Sequence, residues 1–170
     1  MRKTIQNVLL GLLMASSGAL ATPIITITFN NSPQSGPIGS TLTFIATMMN
    51  TSMQTQNLNG DGFTLPAPFT LANVNDSAFF TNWPHSLTAN QSFGPQPLFN
   101  ITIPNGTAPG PYTGTFNLLG GPGPNDQNLI GTANFQVQVT GVVPEPHSGV
   151  LTLLGLGGLV VTRRLRRKPS

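Results

Sequence analysis

The stretch that decides the fold is Thr132–Gly141, TANFQVQVTG. Ala133, Phe135, Val137 and Val139 alternate with Asn134, Gln136 and Gln138. Alternate side chains of a strand point to opposite faces, so this spacing predicts a strand with one buried and one wet face. The same period runs through the chain outward from it. In GPYTGTFNLLGG (residues 110–121) Tyr112, Gly114, Phe116 and Leu118 share a face; in PLFNITIP (97–104) Phe99, Ile101 and Ile103 do. In STLTFIATMMN (40–50) Leu42, Phe44, Ala46 and Met48 oppose Thr41, Thr43 and Thr47, and in PIITITFNN (23–31) Ile25, Ile27 and Phe29 align.

Clusters of Gly, Pro, Asn and Asp punctuate these runs: NNSPQSGPIG, NLNGDG, LPAP, NWPH, IPNGTAPGP and GGPGPND. Such residues favour turns, and Asn59–Gly60 and Asn105–Gly106 are the sharpest turn dipeptides. Between Gln54 and Gln96 the period weakens; Phe63–Leu65, Phe69–Leu71 and Ala78–Thr81 are candidate short strands. The expectation is an all-β, immunoglobulin-like sandwich of about seven strands over residues 22–141. Tyr112, early in its strand, suits a tyrosine corner, although no cysteine accompanies it.

Charge is distributed unusually. Only 6% of the 170 residues are charged, and no Lys or Arg occurs between Thr4 and Thr162. Residues 22–147 carry Asp61, Asp76, Asp126 and Glu145 and no cation, so the net basicity of the chain belongs to its two tips. Phosphate contacts need cations on the folded surface, which argues against a nucleic-acid partner. The absence of cysteine excludes disulfides, zinc-thiolate sites and thiol catalysis.

The tips read as addresses. Arg2 and Lys3 precede the apolar run Val8–Met14, and Ala19–Leu20–Ala21 forms a small-x-small cleavage site. Residues 1–21 are thus predicted to be a signal peptide, engaging the Sec translocon and a signal peptidase that recognises Ala19 and Ala21. At the other end, residues 142–170 hold Pro144–Glu145–Pro146, the uncharged stretch Ser148–Thr162, and the basic cluster Arg163, Arg164, Arg166, Arg167 and Lys168. Fifteen helical residues reach about 22 Å against roughly 30 Å of hydrocarbon, a short transmembrane helix that flanking arginines lengthen by snorkelling. Cations beside a span stay on the cytoplasmic side, so the cluster acts as a stop-transfer signal.

This order of elements at the very C-terminus resembles the PEP-CTERM sorting signal of exported bacterial proteins, over about the last 27 residues. The resemblance implies recognition of Pro144, Glu145 and Pro146 by an exosortase, a membrane-embedded cysteine transpeptidase. It also implies passage through the inner membrane to the cell surface or an extracellular matrix, in a family tied to exopolysaccharide and biofilm. The trailing Lys168-Pro169-Ser170 is a mild departure from the pattern.

No constellation inside the predicted sandwich argues for chemistry. His85 and His147 are the only histidines and lie far apart in sequence, so no metal or other cofactor is expected. The segment Asn57–Gly62 has one carboxylate, too few for calcium, and reads as a turn. Asp61, Asp76 and Asp126 all sit in turn-like contexts, and no Gly-x-Ser-x-Gly elbow occurs, so no catalytic residue is assigned. Phe79, Phe80 and Trp83 are read as core; their alternative is a sugar-stacking cluster. Six Asn-x-Ser/Thr triplets, starting at Asn30, Asn50, Asn75, Asn90, Asn100 and Asn105, are chemically available acceptors whose use the sequence leaves open. The leading expectation is a non-enzymatic exported protein with a structural or adhesive role. The alternatives are a carbohydrate-binding module of a biofilm matrix, using Trp83, and a plain single-span anchored protein; a secreted hydrolase is more distant.

Overall fold

The structure is a computed structural model that describes residues 23–141. The predicted signal peptide, the Pro-Glu-Pro element, the apolar span and the basic cluster lie outside the described residues. Among the described residues no helix is long and apolar enough to cross a membrane.

In chain order the elements are β1 (Ile25–Phe29), β2 (Gln34–Pro37), β3 (Thr41–Asn50), β4 (Gln56–Thr64), a 3-10 turn (Leu71–Asn73), β5 (Val74–Asn75), α1 (Ser77–Asn82), β6 (Ser86–Leu87), β7 (Ser92–Thr102), β8 (Gly110–Gly121) and β9 (Asn128–Thr140). They form two sheets, ordered β1-β3-β7-β5 and β2-β9-β8-β4-β6. The first order is the A-B-E-D sheet of an immunoglobulin sandwich, and β4, β8 and β9 stand where its C, F and G strands stand. One departure lies between β4 and β7. There the chain crosses to the first sheet as β5, returns to the second as β6, and crosses back. Nine strands thus replace the expected seven, but β5 and β6 are only two residues each.

The alternating runs fold as their period dictates. Leu42, Phe44, Ala46 and Met48 of β3 are buried, as are Phe116 and Leu118 of β8 and Phe135, Val137 and Val139 of β9. Between the sheets lies a cluster of phenylalanines. Phe44 and Phe99 stack at 5.0 Å and Phe99 stacks on Phe116 of the opposite sheet at 5.7 Å, while Phe29, Phe63 and Phe135 close on them mostly edge-on. Aromatic pairs in these geometries add roughly 0.5–1.5 kcal/mol beyond their buried area. The tyrosine corner forms: the Tyr112 hydroxyl donates to Ala108 O at 2.9 Å. Two residues on, where immunoglobulin domains carry a disulfide cysteine, stands Gly114, and the ring of Phe135 occupies the space a Cβ would take. Aromatic packing fills the place of the cross-link.

The outer faces meet water through neutral groups. Thr43 donates to Asn100 at 2.7 Å, Thr115 to Asn134 at 2.9 Å and Thr132 to Asn117 at 3.1 Å. These cross-strand pairs supply the polarity that charged side chains supply elsewhere.

Several expectations are corrected. Asn57–Gly62 is no turn; it lies within β4 and pairs with β8. Its pairing skips Asn59, so Leu58 faces Gly120 and Gly60 faces Leu119, a β-bulge. Asn59 Nδ2 ties the far loop by donating to Gly123 O and Asp126 O. Gln34–Pro37, within another punctuation cluster, runs as a strand parallel to the end of β9. Ala78–Thr81 belongs to α1 because Asp76 O accepts from Phe79 N at 2.8 Å and starts a helical turn. Leu71 opens the 3-10 turn, capped by Asn73, whose Oδ1 accepts from Thr70 N and Oγ1. The Asn105–Gly106 turn stands as expected, with Gly106 at φ +80°.

Candidate functional site

Two chemistry-bearing side chains of the described domain, Asp61 on β4 and Asp76 at the start of α1, come together. Parity explains why. Leu58 and Phe63 both pack inward, yet they are an odd number of residues apart. Only an extra residue between them reconciles that with a period of two, and the bulge at Asn59 supplies it. The rotation that brings Phe63 onto Phe99 and Phe116 also turns Asp61 inward, opposite Leu118.

An inward carboxyl needs a partner or a proton. Asp61 meets Asp76, the N-cap residue of α1, and its Oδ2 is buried without a hydrogen-bond partner. Burial first, then the neighbouring carboxylate of Asp76 and a hydrogen bond with it, push the Asp61 pKa from 3.8 to about 7. Below about pH 7 Asp61 therefore keeps a proton that a free aspartate releases near 3.8. Such a dyad has the elements of acid–base chemistry. Against that, an inward charge on a strand whose outer edge is largely open also blocks edge-to-edge pairing. The neighbouring β6 covers only Gln56 and Asn57 of β4.

The remaining candidates separate from this pair. Asp126 caps its own turn, accepting from Gly123 N at 2.7 Å. His85 is exposed on the approach to β6. Among the described residues no three His, Cys, Asp or Glu side chains come together as a metal site. Trp83 is 5% exposed and its indole N–H donates to Pro97 O at 2.9 Å, so it seals the β7 edge beside α1. Phe79 is buried with it, and only Phe80, 54% exposed, faces water. The sugar-stacking alternative therefore loses the ring it depended on. A shallow surface depression, with no enclosed room for a ligand, is lined by Leu65, Phe69, Ile101, Tyr112, Phe135 and Val137 among others. It is apolar, far from the enclosed shape of an ordinary ligand pocket, and includes neither carboxyl of the pair.

The predicted site residues Ala19, Ala21, Pro144, Glu145, Pro146, Arg163, Arg164, Arg166, Arg167 and Lys168 lie outside the described residues. Sequence position still relates them to the fold: β9 ends at Thr140, so the sandwich runs to within a few residues of Pro144.

Comparison with known proteins bears on that end of the chain. The family model of the PEP-CTERM protein-sorting motif matches residues 142–168. The chain is thus a PEP-CTERM-containing protein, and the motif marks it as exported and processed at the membrane. No curated protein matches the chain. Among solved structures it is similar to the ASH / PapD-like domain of human CEP192 (PapD-like domain 7), at 15% identity over 85% of this chain and all of that one, with a TM-score of 0.40.

Proposed function

We propose that this PEP-CTERM protein is a non-enzymatic cargo of the exosortase route, whose sandwich is delivered to the envelope surface or the extracellular matrix for a structural or adhesive task. The observation that carries the proposal is the sorting motif at residues 142–168, directly behind the last strand. In this reading the Sec translocon admits residues 1–21, a signal peptidase cuts after Ala21, and Arg163, Arg164, Arg166, Arg167 and Lys168 halt transfer. An exosortase-type transpeptidase then acts near Pro144–Glu145–Pro146.

A structural role is supported by how the domain spends its polar groups. Its outer faces pair threonine with asparagine, Asp126 closes a turn, and the surface depression is apolar. Exopolysaccharide is the partner the resemblance suggests for such a neutral, hydroxyl- and amide-rich surface.

Mass spectrometry of the mature protein's C-terminus tests the route. A surface form ending near Pro146 is expected. A surface form intact through Ser170 overturns exosortase processing and favours a permanent single-span anchor.

A further inference from the structure

The chain holds the dipeptide Asn-Gly twice, at Asn59–Gly60 and Asn105–Gly106, and the fold treats the two copies oppositely. We propose that Asn105 is a site of spontaneous intrachain deamidation, and that the fold protects Asn59 from the same reaction.

The chemistry needs an accessible carboxamide and a following backbone nitrogen free to approach it. The Gly106 nitrogen, giving up its proton to solvent base, attacks Cγ of Asn105. A new C–N bond closes a five-membered succinimide, the bond to Nδ2 breaks, and ammonia leaves. Water then opens the ring at either carbonyl and yields aspartate or isoaspartate. The net change is one water taken up and one ammonia released, with no oxidant or cofactor.

At Asn105 both requirements are met. Asn105 and Gly106 are exposed in the connection between β7 and β8. A Cβ placed on Gly106 would meet nothing within 4 Å, so no neighbouring group packs against that side of the turn. Thr107 closes the turn instead, its N–H donating to Pro104 O at 3.4 Å and its hydroxyl at 2.7 Å. Neither bond occupies the Asn105 carboxamide or the Gly106 nitrogen.

At Asn59 both fail. Its carboxamide nitrogen donates to Gly123 O at 3.2 Å and to Asp126 O at 2.9 Å. Gly60 lies in the β4–β8 ladder opposite Leu119. Cyclisation there requires opening that ladder first, and strand interiors open far more rarely than loop tips.

The event matters because the domain has so little charge. Residues 23–141 contain three aspartates and no lysine or arginine, so deamidation adds a fourth carboxyl group to a domain with no cationic lysine or arginine to offset it. The isoaspartate product also lengthens the backbone of a tight turn on the loop that leads into the tyrosine corner.

The purified full chain, aged at pH 8 to 9 and mapped by chymotryptic peptide mass spectrometry, provides the test. The peptide holding Asn105 is expected to become about one dalton heavier. In the folded protein it reacts at least roughly tenfold faster than the peptide holding Asn59, and urea abolishes that difference. Asn105→Gln removes the reaction while leaving the melting temperature in place. An unchanged Asn105 peptide overturns the proposal, as does an Asn59 peptide that reacts equally fast in the folded protein.

Discussion

The β8–β9 hairpin and the segment from β4 to β6 are built by different rules. In the hairpin, apolar side chains alternate along both strands and one ladder runs from Gly120–Asn128 to Gly110–Val139 with a single shift. From β4 to β6 the chain makes a bulge, a 3-10 turn, a two-residue strand, a short helix and another two-residue strand. The hairpin owes its structure to patterning and burial. The β4–β6 segment owes its structure to particular hydrogen bonds, each with a polar side chain or a backbone carbonyl at one end. A change in the hairpin therefore costs packing, and a change in the other segment costs or frees a specific polar contact.

The largest expected effect lies on the packed side of this comparison. Phe99→Ala opens the middle of the stacked rings and should destabilise the domain by about 3–5 kcal/mol, read from urea unfolding. A loss below about 1 kcal/mol would show that the rings are not the keystone of the two sheets.

The next effect belongs to Asp61 and depends on pH. Its folded pKa, about 7, lies above the ordinary 3.8. Between those values the folded domain keeps a proton that the unfolded chain has released, so stability is full below pH 4 and falls as pH rises through 7. In this partly open setting the fall is about 1–2 kcal/mol. Asp61→Asn should flatten the profile and leave the variant more stable than the parent at pH 8, measured by thermal unfolding across pH. A parallel pH profile in the variant would assign the dependence elsewhere.

Tyr112→Phe removes only the hydroxyl that reaches Ala108 O. One such bond is worth about 0.5–1.5 kcal/mol, which differential scanning calorimetry detects. Thr115→Val should change least, within about 0.2–1 kcal/mol, because it removes one exposed cross-strand contact to Asn134. If Thr115→Val proved costlier than Phe99→Ala, the division between packing and polar contacts would be reversed.

The same division explains what the sequence allowed one to read. Alternation identified the inward faces of β1, β3, β7, β8 and β9 because burial imposes it directly. Tyr112 was legible as a corner because its strand position and a loop rich in Gly and Pro accompany it. Asn57–Gly62 misled because the dipeptide that favours a turn also suits a bulge, and only the partner strand distinguishes them. One signal was present: Leu58 and Phe63, both large and apolar, are five apart, a spacing a regular strand cannot bury on one face. Asp61's inward position follows from that spacing. The helix over Ser77–Asn82 was hidden because its apolar residues are too few for a period. The sorting motif was legible throughout because its order of elements is itself the signal.

In sequence the tail of this protein follows β9, the longest described strand, which is laddered to β8 from Asn128 to Val139 with one shift and whose last four residues also pair with β2. Consider a force applied along the β9 axis. The rungs of the ladder lie across the axis, so they share the load together instead of parting one after another. Along that axis β9 is held to the sandwich in shear, the geometry in which a β-sheet best resists being drawn apart by mechanical force.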